Sequence, residues 1–239
     1  MHDARVKLKD MYGDILCTPL LVHDLLYADD TLLFDVHASN VQKYMDVIID
    51  VGSTYGLKIN WKKVEVFGIR CRPTIFSTNG SLVEQRDSIK YLGALISADG
   101  SIQSELNRRI GMASADFKIL SVLWSHASVS IFEKYRIYMA CIVSKLLYGL
   151  QTSWLTNDQR AKLDGFHAKC VRKITGIGHS YWSRVSNVEV LSRVQGHPLS
   201  KLLLEQQLLA FGKIFRLPDD NVVRQAISRH HLAISKCTQ

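Results

Sequence analysis

The stretch Leu25-Leu26-Tyr27-Ala28-Asp29-Asp30-Thr31-Leu32-Leu33-Phe34 constrains this chain more than any other. Two apolar runs, Leu20 to Leu26 and Leu32 to Val36, flank four residues that end in adjacent carboxylates, the pattern of a strand, a tight turn and a returning strand. The expectation is a buried hairpin with two acids at its tip. Aspartate is a poor strand residue and costly beside buried apolar neighbours, so the pair calls for turn chemistry or for a cation. On the strand-turn-strand pattern alone, Asp29 and Asp30 read first as ordinary turn formers.

Downstream, Ser39 with Gln42 three residues on reads as a capping box. Val41, Tyr44, Met45, Ile48, Val51 and Tyr55 follow at helical spacing, and Gly56 suits a left-handed stop. The helix should pack on the hairpin's sheet. Strands are expected through Leu57 to Asn60 and Val64 to Ile69, a small hairpin at Asn79-Gly80, and a further strand over Lys90 to Ile96. Residues 1 to 19 lack periodicity and read as a lead-in to the first strand. Hairpin, helix and strands followed by helices make an α+β chain.

From Ser101 the pattern is helical. Ile102, Leu106, Ile110, Ala113, Phe117, Leu120 and Trp124 step by three and four, leaving Arg108, Arg109 and Lys118 off the stripe. A second helix spans about Ser130 to Leu147, capped by Ser128 or Ser130. Thr156-Asn157-Asp158 caps a third, which Gly176 and Gly178 end, and helices near 186–194, 198–216 and after Asp219-Asp220 complete the tail. The third helix carries Arg160, Lys162, Lys169, Arg172 and Lys173, the densest group of cations for phosphate contact.

The charge is uneven. Residues 1 to 100 hold eleven Lys/Arg against thirteen Asp/Glu, and residues 101 to 239 hold nineteen against nine. Such asymmetry suits a polyanion held by one lobe and reacted on by the other, or else a set of solvated helix faces. The five cysteines are widely spaced and read as free thiols of a reducing compartment. His167 and Cys170 share a helix face, but no second pair with zinc-ligand spacing stands nearby. With no signal-like N-terminus and no apolar run of about 18 residues, the expectation is a soluble intracellular protein of cytoplasm or nucleus, with no membrane partner.

Tyr27-Ala28-Asp29-Asp30 between two apolar strands resembles the catalytic palm hairpin of reverse transcriptases. Tyr55-Gly56-Leu57-Lys58-Ile59-Asn60, followed by Lys63, resembles the next palm motif, G-L-x-x-N-x-x-K, and Tyr91-Leu92-Gly93 resembles the primer-grip hairpin. Arg109-Ile110, Trp124, Lys134, Tyr148-Gly149 and Cys170-Val171-Arg172-Lys173-Ile174 resemble the thumb and post-thumb region of non-LTR (LINE-type) retrotransposon polymerases. The resemblance runs from about residue 20 to the end. Val64 stands where threonine is usual and Gln151 where an acid often follows Tyr-Gly.

The resemblance implies a partial palm over 1–100, thumb-like helices over 101–155 and a basic helical post-thumb region over 156–239. It implies an RNA-directed DNA polymerase using Mg²⁺ or Mn²⁺, with an RNA template, a DNA primer and deoxynucleoside triphosphates as partners. Asp29 takes the place of a metal ligand, Asp30 that of the auxiliary acid, and Lys63 that of the lysine near the triphosphate; Lys58 and Lys62 offer the same chemistry, and a strand-edge lysine is the plainer reading. Tyr27, Ala28, Asn60, Tyr91, Leu92 and Gly93 fall at nucleotide or primer contacts, although Asn60 could equally bond backbone and Tyr91 could be a core tyrosine. Arg108, Arg109, Lys162, Lys169, Arg172 and Lys173 are the candidate contacts to the nucleic-acid backbone.

Two-metal nucleotidyl transfer needs carboxylates to hold ions ~3.5–4 Å apart. In the resembled family a further aspartate comes from an earlier palm strand. Upstream of Tyr27 the acids are Asp3, Asp10, Asp14 and Asp24, none in that context. The expectation is a C-terminal piece that is inactive unless a partner, such as the N-terminal polymerase segment, completes the site. A non-catalytic nucleic-acid-binding helical module, or a degenerate retroelement relic, is the alternative.

Overall fold

The computed structural model describes residues 1–13, 23–125 and 128–228, and these divide into two compact units. One comprises Met1–Ile89, Ala98–Gly100 and the chain from Ile214 onward; the other comprises Lys90–Ser97 and Ser101–Lys213. The fold is α+β, with short strands in the first part and helices throughout the second. Asp14, Cys17, Leu20, Cys237 and the Thr18-Pro19 step lie outside the described residues.

The first unit is arranged around one amphipathic helix. Its elements run α1 (His2–Tyr12), β1 (Asp24–Tyr27), β2 (Asp30–Leu33), α2 (Ala38–Thr54), a 3₁₀ turn (Trp61–Lys63), β3 (Val66–Phe67) and β4 (Gln85–Arg86). One side of α2 buries Tyr44 and Val47 against Ala4 and Leu8 of α1, and another buries Met45 against Val66, Ile75 and Val83. Leu33 of β2 touches both clusters, which is how the hairpin is joined to the helix. The helix α1 corrects the unstructured lead-in. Its apolar stripe is only Ala4 and Leu8, too thin to signal by itself, and α2 supplies the partner surface.

The start of α2 also differs from the capping box expected at Ser39. The cap position is His37, and its backbone N–H is bonded by Asp35 Oδ1 at 2.9 Å, an oxygen that also accepts from Asn40 Nδ2 at 3.2 Å. Gln42 is instead spent on the neighbouring segment, donating to the Phe76 carbonyl and accepting from its N–H. The end is as expected, with Gly56 at φ 73° and the Leu57 N–H returning to the Gly52 carbonyl at 2.9 Å.

Two expected strands contract. Residues 57–60 have no regular structure, because the Asn60 side chain accepts from the Lys62 N–H at 3.1 Å and starts the 3₁₀ turn. The second shrinks to β3, which pairs with β4 in parallel. The Asn79-Gly80 turn forms, with Phe76 bridged to Leu82 and Gly80 at φ 77°. Lys90 to Ile96 is not one strand: β5 (Ser88–Tyr91) turns at Leu92 and Gly93, both at positive φ, into β6 (Ala94–Ser97).

The helical unit holds α3 (Gln103–Ile119), α4 (Ser121–Ser125), α5 (Ile131–Tyr138), α6 (Ser144–Leu147), α7 (Asn157–Thr175), α8 (Ser180–Ser183) and α9 (Asn187–Ser192). The helix α10 (Leu199–Phe215) follows, and residues 222–228, in the first unit, are also helical. The long helix expected over 102–124 breaks at Leu120, where the Trp124 indole donates to the Phe117 carbonyl at 2.8 Å and stacks on the Phe117 ring. That indole satisfies one of the carbonyls a helix end leaves open. Ser130 caps α5 in a full capping box with Glu133, and Thr156 caps α7 with Gln159. Between α5 and α6 the backbone continues as one π turn over Met139–Val143. Leu106, Tyr138, Ile142, Leu163, Val171 and Val190 are fully buried members of one core.

His167 lies inside that core, its Nδ1 3.0 Å from the Tyr138 hydroxyl and its ring stacked on the same tyrosine. Burial pushes the imidazole down to about 4, against a smaller upward pull from Asp164 and the His197 backbone. The unfolded chain, titrating near the ordinary 6.5, binds the proton first. The resulting stabilisation is full above pH 6.5 and lost as pH falls from 6.5 to about 4. Chemical denaturation across that range should show a loss of up to about 3 kcal/mol. The loss should be absent from this window in His167→Phe.

Candidate functional site

The β1–β2 hairpin pairs Asp24 with Leu33, Leu25 with Leu32, Leu26 with Thr31 and Tyr27 with Asp30, leaving Ala28 and Asp29 as the two turn residues. Ala28 sits at φ 52°, a conformation that costs an L-residue and that tight hairpin turns require. Asp29 and Asp30 are exposed at the tip.

The hairpin is not buried as the sequence suggested. Leu25, Leu26 and Tyr27 are 45%, 47% and 63% exposed, since this sheet has only two strands and α2 reaches only its Leu33 end. What is fixed is the base. Asp24 is buried and accepts from Arg5 Nε and Nη2 at 3.0 and 2.6 Å and from the Tyr44 hydroxyl at 2.7 Å. Burial alone would raise this carboxyl, but the Arg5 and Tyr44 bonds outweigh it and hold it below the usual range. The Tyr44 phenol, buried and bonded to that carboxylate, is pushed up to about 12. Opposite, His23 Nδ1 lies 3.0 Å from Asp35 Oδ2. The upstream acid Asp24 therefore serves as the anchor of the hairpin, and the tip projects from a fastened base.

The tip's donors are hard carboxylate oxygens, which suit Mg²⁺ or Mn²⁺. Among the described residues no group of three or more His, Cys, Asp or Glu side chains could hold a metal ion, and the tip itself carries two carboxylates, Asp29 and Asp30. Asn60 is committed to the Lys62 backbone, and Lys63 is exposed on the 3₁₀ turn beside exposed Lys62. Among the described residues no hydrogen bond or ion pair joins Lys63 to Asp29 or Asp30.

Tyr91, Leu92 and Gly93 belong to the helical unit, where the turn is clamped by α3. The Gly93 carbonyl accepts from Arg108 Nη2 at 2.8 Å and from Arg109 Nη2 at 2.9 Å, and the Leu92 carbonyl from the Tyr148 hydroxyl at 3.3 Å. Arg109 was expected on an exposed flank. It is 6% exposed, bonded also to Glu105 and the Lys145 carbonyl, with its guanidinium over the Tyr148 ring. Glu105 accepts from Arg108, Arg109 and the Leu95 N–H. Burial raises its carboxyl, yet the two guanidinia and the N–H prevail and keep it low. The donors of Arg109 are thus turned to protein acceptors, and those of Arg108 largely so.

Arg172 is likewise buried, donating to the carbonyls of Gly178 and Val185 and to Asn187 Oδ1. Lys162, Lys169 and Lys173 are exposed on α7, Lys162 bonding Asn107. The sequence reading missed Glu105, although its i, i+3 and i, i+4 spacing to Arg108 and Arg109 was a legible signal.

A family model described as reverse transcriptase (RNA-dependent DNA polymerase) matches residues 8–96, from α1 through the end of β6. That segment contains the carboxylate hairpin and the Leu92-Gly93 turn, and it is similar to a reverse-transcriptase domain. No curated protein and no solved structure matches the chain.

Removing Glu105 leaves Arg109 charged in a buried place without its counter-ion. Glu105→Leu should lower the unfolding free energy by about 3–5 kcal/mol in urea titration. Hydrogen exchange at the Leu95 amide, which donates to Glu105, should accelerate with it.

Proposed function

We propose that this chain is a reverse transcriptase of the non-LTR, LINE-like type, with residues 8–96 contributing palm structure to an RNA-directed DNA polymerase. The match of that segment to the reverse-transcriptase family, with Tyr27-Ala28-Asp29-Asp30 placed at an exposed hairpin tip, is the observation that carries the reading. The non-LTR assignment is supported by the motif order that continues through Tyr148-Gly149 and Cys170–Ile174.

In this reading Asp29 binds Mg²⁺ or Mn²⁺ and Asp30 assists it. The ion would activate a primer 3′ hydroxyl and stabilise the charge on the transferred phosphoryl group. Leu92 and Gly93 present a turn to the primer, with RNA as template and deoxynucleoside triphosphates as substrates. The described residues bring only two carboxylates to the tip, so turnover requires a further carboxylate from elsewhere.

The test joins metal binding to turnover. Mn²⁺ should broaden the amide resonances of residues 27–30 in the parent chain and not in Asp29→Asn. Neither protein alone should extend a primed RNA template with Mg²⁺ or Mn²⁺. Mn²⁺ broadening that ignores Asp29 would overturn the metal assignment, and Asp29-dependent extension would overturn the need for an additional carboxylate.

A further inference from the structure

We infer that Tyr181 and Trp182, with Arg184 beside them and exposed Lys169 and Lys173 on the helix α7 that holds their segment, form a binding surface for single-stranded nucleic acid. The inference concerns residues outside the 8–96 segment and stands whether or not that segment is a polymerase palm.

The two aromatic side chains are adjacent on α8, 65% and 81% exposed, with ring centroids 4.9 Å apart and planes near perpendicular. Large rings are seldom left in water side by side without a partner. The Arg184 guanidinium lies 5.8 Å from the Tyr181 ring centroid, so a cation already flanks the apolar surface.

The segment is held in this presentation. Buried Arg172 of α7 donates to the Gly178 carbonyl at 3.1 Å, Ser183 Oγ at 3.4 Å and the Val185 carbonyl at 2.6 Å, drawing both ends of α8 onto α7. Arg184 ends α8 at φ 55°, a strained conformation for a side-chain-bearing residue that the Arg172 bonds on either side sustain. The guanidinium expected to touch phosphate thus does something else: it fixes the loop that carries the aromatics.

Charge selects the occupant. Residues 165–188 contain Lys169, Arg172, Lys173 and Arg184 and no Asp or Glu. Lys169 and Lys173 are exposed on α7, one helical turn apart and therefore on one face, and Lys173 adjoins the Arg172 that binds the loop. Cations tracking a backbone beside exposed rings are the two parts of a surface for unpaired bases, since every base has a face to stack and a duplex hides it. An acidic protein would use the cations but leaves the exposure of the two rings unexplained.

The test is equilibrium binding of oligo(dT) and oligo(U) of about 15 nucleotides to the full chain, with a duplex of equal length as comparison. Binding of either single strand, weakened about tenfold or more by Trp182→Ala or Tyr181→Ala and restored by Trp182→Phe, is the expected result. The aromatic variants should leave the salt slope unchanged, whereas Lys169→Gln with Lys173→Gln should reduce it by about 1.4. Duplex binding should not respond to Trp182→Ala. Trp182 is exposed, so its replacement leaves the core intact, and an unchanged circular dichroism spectrum checks this. No single-strand binding, an equal loss for duplex, or Trp182-dependent self-association in sedimentation without an effect on single strands would overturn the proposal.

Discussion

The Glu105 carboxylate orders the helical unit around the hairpin turn. It stands in the first turn of α3, buried, and accepts from Arg108, Arg109 and the Leu95 N–H. Each guanidinium then spends another donor on the Gly93 carbonyl, and Arg109 reaches on to the Lys145 carbonyl near the end of α6. Turn, helix and second helix therefore meet through one carboxylate. Such a network is expensive to break because Glu105 and Arg109 are both buried charges, and the removal of one leaves the other without its counter-ion. The turn places Leu92, a side-chain-bearing residue, at positive φ, and that local strain is held by the clamp.

The first unit uses the same device at another place. Asp24 is to the carboxylate hairpin what Glu105 is to the Leu92-Gly93 turn: a buried acid fixed by an arginine and a phenol, lying at the base rather than at the working end. In both cases the acid that positions is buried and fully bonded, and the residues it positions are exposed. Asp29 and Asp30 project from a base fixed by Arg5 of α1 and Tyr44 of α2, each about twenty positions from Asp24.

Much of this arrangement could be read from the chain and some could not, for identifiable reasons. The caps at Ser130 and Thr156, the stops at Gly56 and Gly176 and the Asn79-Gly80 turn are local chemistry, and each forms as its residues dictate. The Tyr27–Asp30 tip is likewise a local turn. Helix α1 was hidden because its stability comes from α2, and no strand forms at 57–60 because a side chain, Asn60, competes for the backbone. Arg109 and Arg172 were misread because a guanidinium is normally a surface group. Only the acceptors around them, most of them backbone carbonyls with no sequence signature, reveal that they are internal. The same blindness hid the role of Tyr181 and Trp182, whose prominence depends on Arg172 being unavailable to solvent.

The π turn at Met139–Val143 carries a lesson about chain length. Tyr138 and Ile142 before and within it, and Leu146 and Leu147 after it, all face the same core. A π turn holds more residues than an α turn, so it resets the angular phase of the helix partway along. Winding all five residues as α-helix, with none removed, would rotate everything beyond by about 100° and swing Leu146 and Leu147 out of the core. The Lys145 carbonyl would turn away from Arg109 as well. The irregularity is thus a phase correction, and the register of the guanidinium network is counted from it.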